Sequence, residues 1–270
     1  MKRLLTGLLA LCAVLAIGAP SAGAQAATAR IHLIHGIPNT PVDVVVGGQV
    51  AFGGFAFGET KDLSSFAGQT LAGLKVNLAG TSTTAIDAGN TAMPASGNHT
   101  VIAHLDASGN PTLSVFENDT TTLPAGKGRL TVRHTAAAPA VDVRANGDVA
   151  FAGVTNPNGA SLDLAVGTVS ATVVPAGATT PVVIGPADLA IQDGTSLIVY
   201  AVGSLSANSL TVLTESIGGL GTAPTLVNTG NSPVESGSGA GSLVVLAGLA
   251  GAAVLLGSVP AVRVLRARTR

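Results

Sequence analysis

Apolar and polar positions alternate in short runs through the middle of this chain, and one such run occurs twice. Residues 30–35 set Ile31, Leu33 and His35 on one face and Arg30, His32 and Ile34 on the other. Residues 129–134 set Leu130, Val132 and His134 against Arg129, Thr131 and Arg133. A period of two marks a strand, because successive side chains point to opposite faces of a sheet. Residues 42–46 predict the next strand, closed by Gly47-Gly48. Its copy at 141–145 closes with Asn146-Gly147, a pair that accepts the positive φ of a hairpin turn. Return strands are expected at 50–57 and 149–154, with Gly53 and Gly54 marking a bulge.

The two copies keep register. His35 and His134 are 99 positions apart, and so are Asp43 and Asp142, Phe52 and Phe151, and Gly54 and Gly153. A register held through two strands and their turns means a duplicated folding unit. Further strands are expected at 74–78, 84–87, 99–105 and 112–117, and in the second unit at 169–174, 181–184, 196–202 and 209–214. The last hairpins align at an offset of 97, Leu113 with Leu210, which makes the second unit two residues shorter in its middle. Short strands separated by Gly, Pro and Asn, with no long helix before residue 240, predict an all-β fold of two tandem β-sandwich domains. Their expected bounds are 28–120 and 127–217. Ile31, Leu33, Val42, Val44 and Phe52 should form the first core, and Leu130, Val132, Val141, Val143 and Phe151 the second, since an apolar strand face must be covered by another sheet.

Both ends of the chain read differently. Lys2 and Arg3, an apolar run over 4–17 and small residues around Ala24 and Ala26 make residues 1–26 a signal peptide, cleaved after Ala24 or Ala26. The single cysteine, Cys12, leaves with it, so the mature chain has neither disulfide nor thiolate chemistry. Residues 218–241 are a Gly/Ser-rich stalk. Residues 242–262 are an uncharged apolar stretch long enough for a transmembrane helix, and 263–270 carry four arginines, which the positive-inside rule keeps in the cytoplasm. The expected location is the extracellular side of the cytoplasmic membrane, on a single-pass C-terminal anchor. Leu226-Val-Asn-Thr229-Gly230 resembles the wall-sorting signal Leu-Pro-x-Thr-Gly, with valine in place of proline. Two attachments follow: retention by the helix, or cleavage between Thr229 and Gly230 by a sortase-type transpeptidase and transfer to the cell wall.

Charge narrows the partners. The exported part holds all fourteen acidic residues and only seven basic ones. An acidic ectodomain lacks the basic footprint that nucleic-acid binding needs. His35 with Asp43, and His134 with Asp142, suggest a histidine oriented by a carboxylate as general base. No nucleophile has a recognisable setting, however, and the same pair recurs in both units. The pairs therefore read as structural, His and Asp each tying a loop. His32 and His35 fall on opposite strand faces, as do His99 and His104, which is poor geometry for one metal. Glu117, Asn118 and Asp119 could offer oxygens to calcium at the junction between units, against a plain solvated turn. No cofactor is expected.

The stretch from His35 to Asp43-Val44, with Pro41 before it, and its copy from His134 to Asp142-Val143, with Pro139, resemble the bacterial repeat family called domain of unknown function 4397 (DUF4397). The resemblance covers residues 29–217 as two tandem copies. It implies an immunoglobulin-like β-sandwich and a secreted or surface-anchored protein, and it implies no activity. The expectation is a non-enzymatic cell-surface protein for adhesion, binding of an extracellular ligand, or envelope structure. The alternative is an extracellular hydrolase using a His–Asp pair.

Overall fold

The computed structural model describes residues 28–222. Eight strands form the first half: β1 (Arg30–His35), β2 (Val42–Val46), β3 (Gln49–Phe55), β4 (Thr60–Asp62), β5 (Thr70–Leu78), β6 (Thr84–Ala92), β7 (Asn98–Leu105) and β8 (Pro111–Glu117). Eight more form the second: β9 (Lys127–His134), β10 (Val141–Ala145), β11 (Asp148–Val154), β12 (Gly159–Ala165), β13 (Gly167–Pro175), β14 (Ile184–Ile191), β15 (Ser196–Val202) and β16 (Thr211–Ile217). They make four four-stranded sheets. In the first half these are β4-β1-β7-β8 and β3-β2-β5-β6, and in the second β12-β9-β15-β16 and β11-β10-β13-β14. The second half repeats the first strand for strand. In each half the first strand pairs parallel with the seventh, and the other neighbours pair antiparallel.

Each half encloses its own apolar core between two sheets. Ile31, Leu33, Val42, Val44, Phe55, Leu74, Val76 and Val101 meet in the first. Leu130, Val132, Val141, Val143, Phe151, Val169, Leu189 and Val199 meet in the second. The sequence pattern placed Phe52 in the first core. It lies there half-buried, and Phe55 is the phenylalanine sealed inside, at 1% exposure. The cause is the bulge. Val42 pairs with Phe55 but Val44 with Phe52, so between these pairs β3 holds one residue more than β2 and both rings turn inward. The second copy does the same, with Val141 opposite Val154 and Val143 opposite Phe151.

Three sequence expectations need correction. The strand expected at 181–184 begins only at Ile184, because Pro181 has no N–H to give a ladder. The short β4 and the seven-residue β12 were missed. The last hairpins are not offset by 97. Ala103 pairs with Leu113 and Ala201 with Val212, so Val212, rather than Leu210, is the counterpart of Leu113.

The two halves are joined face to face. The outer face of β4-β1-β7-β8 lies on the outer face of β12-β9-β15-β16, and Ile34, Ile102, Ile198, Tyr200 and Val202 form a third apolar cluster there, flanked by Phe57, Phe116, Leu213 and Ile217. β1 meets β16 through His32 and Glu215, and β8 meets β9 through Phe116 and Arg133. Since β9 repeats β1 and β16 repeats β8, the contact has approximate twofold symmetry about an axis along the strands. Both halves turn the same loops to one pole: Gly36 abuts Val202, and Asn156 donates to the carbonyls of Leu105 and Ala136. The described body begins and ends at the opposite pole, where Ala29 bonds Ala95 and Leu123 bridges Gly221.

Among the described residues no helix is long and apolar enough to cross a membrane. The expected signal segment with Ala24 and Ala26, the sorting site Leu226, Thr229 and Gly230, the span 242–262 and the tail 263–270 lie outside the described residues.

Candidate functional site: two repeated clamps and a polar seam

Asp43 is the second residue of β2, opposite the bulge of β3. Its Oδ1 accepts the N–H of Gly54 at 2.7 Å and its Oδ2 that of Gly80 at 2.8 Å. Asp142 does the same with Gly153 at 2.7 Å and Gly177 at 2.8 Å. Each carboxylate therefore fastens the bulge to the turn after the fifth strand of its half. Glycine is needed at these four positions because each has φ between +61° and +75°. The amides, the bulge glycine first in each case, hold both carboxyl groups below their ordinary pKa.

The histidines close a different loop. The Nε2–H of His35 donates to the Thr40 carbonyl at 2.6 Å, and that of His134 to the Pro139 carbonyl at 2.9 Å. His134 Nδ1 also accepts the Ala136 N–H at 3.3 Å, while His35 Nδ1 has no partner and its ring lies against Phe55. Both imidazoles are buried, and burial pushes their pKa down, with the carbonyl bonds opposing. His35 and Asp43 share no hydrogen bond, nor do His134 and Asp142. All four bond to backbone instead, so the His–carboxylate pairing of the hydrolase alternative is not made.

A polar network fills the seam between the halves. Arg133, at 5% exposure, donates from Nη1 to Tyr200 Oη at 2.7 Å, and from Nη2 to the Glu117 carbonyl at 3.0 Å and Asn118 Oδ1 at 2.7 Å. Its guanidinium stacks over Phe116, 4.4 Å from the ring centre. Glu215 Oε2 accepts from Tyr200 at 2.9 Å and from Thr100 at 2.7 Å, and its Oε1 contacts His32 Nδ1 at 2.6 Å. Asn118 donates onward to Thr100 and Asn98. Burial raises the Tyr200 phenol pKa and lowers that of Arg133. At the rim, Arg129 takes Asp163 at 2.8 Å and Asp119 at 2.9 Å.

This changes the reading of the junction. Asn118 Oδ1 and the Glu117 carbonyl receive Arg133, and the Asp119 carboxylate receives Arg129 and Thr121. The Glu117 carbonyl, Asn118 Oδ1 and the Asp119 carboxylate thus have cationic partners from the second half. Among the described residues no group of three or more His, Cys, Asp or Glu side chains could hold a metal ion. The outward-facing arginine was the available signal: Arg133 occupies the place of Ile34 in a repeat otherwise closely copied.

A family model described as Domain of unknown function (DUF4397) matches residues 29–144. That stretch of the chain is similar to the DUF4397 family. The match takes in the whole first half with its His35 and Asp43 clamps, then runs on through β9, His134, Asp142 and most of β10. Both motif copies thus lie within the DUF4397 match, while β11 to β16 lie beyond it. No curated protein matches the chain.

Proposed function

We propose that the chain is a non-enzymatic cell-surface protein that displays two immunoglobulin-like sandwiches, the second a further DUF4397 copy, outside the membrane as one stiff body. Its use is adhesion, ligand binding or envelope structure. The observation that carries this reading is the employment of His35, Asp43, His134 and Asp142 in backbone clamps, at the same place in both halves. A group that fastens a loop in two copies is accounted for by the fold. The seam supports stiffness, because a buried charged network fixes one arrangement of the halves. The position of the two ends supports display: an anchor following residue 222 leaves the loop pole facing away from the envelope.

Lysine-directed labelling of intact cells tests the location through Lys61 and Lys75, which the fold keeps partly exposed. Modification of both without lysis is expected, with a mature C-terminus at Arg270 or Thr229 by mass spectrometry. Labelling only after lysis would overturn the reading.

A further inference from the structure

The loop pole of the second half carries no charge at all. Four loops meet there, at 135–140, 155–158, 176–183 and 203–210, and none of their 26 residues is Asp, Glu, Lys, Arg or His. The first half contributes four loops to the same pole, with Glu59 and Asp106 as their only ionisable residues. Elsewhere the described body is acidic, with thirteen carboxylates against seven basic side chains. At the uncharged end Val182 is 46% and Leu205 40% exposed, and with Val183, Asn208 and Leu210 they rim a shallow depression. The matching loops of the first half are 79–83, Ala-Gly-Thr-Ser-Thr, and 106–110, Asp-Ala-Ser-Gly-Asn, which hold no large apolar residue.

We propose that this pole is a homophilic contact, with Val182 and Leu205 packing on the same pole of a second copy. Two copies of a body with net negative charge repel over most approaches, and like charges brought into contact oppose association. The pole of the second half is the broad region where two copies meet without that repulsion. A twofold contact is self-complementary by construction, so an uncharged apolar patch satisfies it with no second surface. The pole carries no basic residue to draw it to an anionic lipid surface. The described body begins and ends at the other pole, so two copies anchored beyond residue 222 and joined here place their anchors at opposite ends and bridge two surfaces. The bridging rests on the surface-display reading, whereas the contact itself does not.

The test uses the full chain with Cys12→Ser, which leaves it without cysteine, and adds Val182→Cys, Leu205→Cys or, at the opposite pole, the equally exposed Val149→Cys. Copper–phenanthroline serves as oxidant, and circular dichroism checks the fold of each variant. Disulfide-linked dimers are expected at least ten times faster from the Val182 and Leu205 positions than from Val149. Addition of Leu205→Asp to the Val182→Cys chain should remove that advantage. Equal rates at all three positions would overturn the proposal. So would a Val182→Cys adduct with a different envelope protein in place of the dimer, or insertion of a Val182-attached fluorophore into neutral-lipid vesicles without dimer formation. For bridging, two differently tagged cell populations are mixed before oxidation. Dimers carrying both tags support it. Dimers confined to one population retain the contact and refute the bridge, and that result is distinct from failure of surface labelling.

Discussion

Arg133→Met is the sharpest perturbation of the seam. Methionine keeps most of the volume and removes the charge and every donor. Two acceptors, the partly buried Glu117 carbonyl and the buried Asn118 Oδ1, lose their donor, at up to about 1–3 kcal/mol each. Glu215 keeps Tyr200 and Thr100 but loses the nearby positive charge that Tyr200 relays. Removal of one member of a buried charged network costs about 3–5 kcal/mol, and the two orphaned acceptors account for most of that range. The double variant Arg133→Ile, Glu215→Phe gives the second half the side chains that Ile34 and Phe116 supply in the first. With both charges gone it should recover the part of the loss that comes from the uncompensated Glu215 carboxylate, while the Glu117 carbonyl and Asn118 Oδ1 stay without a donor. Tyr200 is the only tyrosine and the chain has no tryptophan, so intrinsic fluorescence reports the seam directly. In urea titrations the Arg133→Met fluorescence transition should fall well below the parent midpoint and precede loss of the far-ultraviolet β signal. Coincident transitions at the parent midpoint would refute the view that this network holds the halves together.

Four other outcomes follow from the same geometry. Ile198→Ala, at a 1% exposed position in the seam cluster, should cost about 2–5 kcal/mol in urea unfolding. Acidification should destabilise the fold. His35, His104 and His134 have lowered pKa values through burial, so below the unfolded value of 6.5 the unfolded chain binds more protons and the urea midpoint falls with pH. His134→Gln, which keeps a donor for Pro139, should flatten that slope. Asp43→Ala should speed amide hydrogen exchange at Gly54 and Gly80 while Gly153 and Gly177 stay protected, which proteolytic mass spectrometry resolves. Absorbance titration should show Tyr200 un-ionised above pH 10 in the folded chain and ionising on addition of urea.

The inner faces of the strands were legible because one neighbour decides them. Ile31, Leu33, Val42 and Val44 alternate with residues that a single sheet leaves outside, and a period of two reports that directly. The bulge was legible from Gly53-Gly54, but not its effect on Phe52 and Phe55, which depends on the register of β2 against β3. The outer faces were not legible. Ile34, Ile102, Ile198 and Val202 break the alternation because a second body covers them, and a strand apolar on both faces does not name what lies on its far side. β12 did alternate, with Ala160, Leu162 and Leu164 against Ser161 and Asp163, and it could have been found. Among the site residues, the Asp and His clamps were marked by exact repetition, whereas Arg133, Tyr200 and Glu215 were hidden by its failure. They stand where the first half has Ile34, Ile102 and Phe116.

That failure of repetition bears on how such a chain diverges. Were the seam made by two separate copies of one gene product, every substitution would appear twice, once on each side of the axis. An arginine at position 133 would then enter as a pair, with both charges needing partners in one dry contact. Fusion removes the constraint. Residues 118–126 hold the halves at an effective concentration on the order of millimolar, so the contact no longer depends on how much protein is present. Each side is then free to specialise: one takes the cation and the phenol, the other the aromatic ring and the amide that receive them. The seam is a heteromeric interface written into one gene, with a stoichiometry of one to one that expression level cannot disturb.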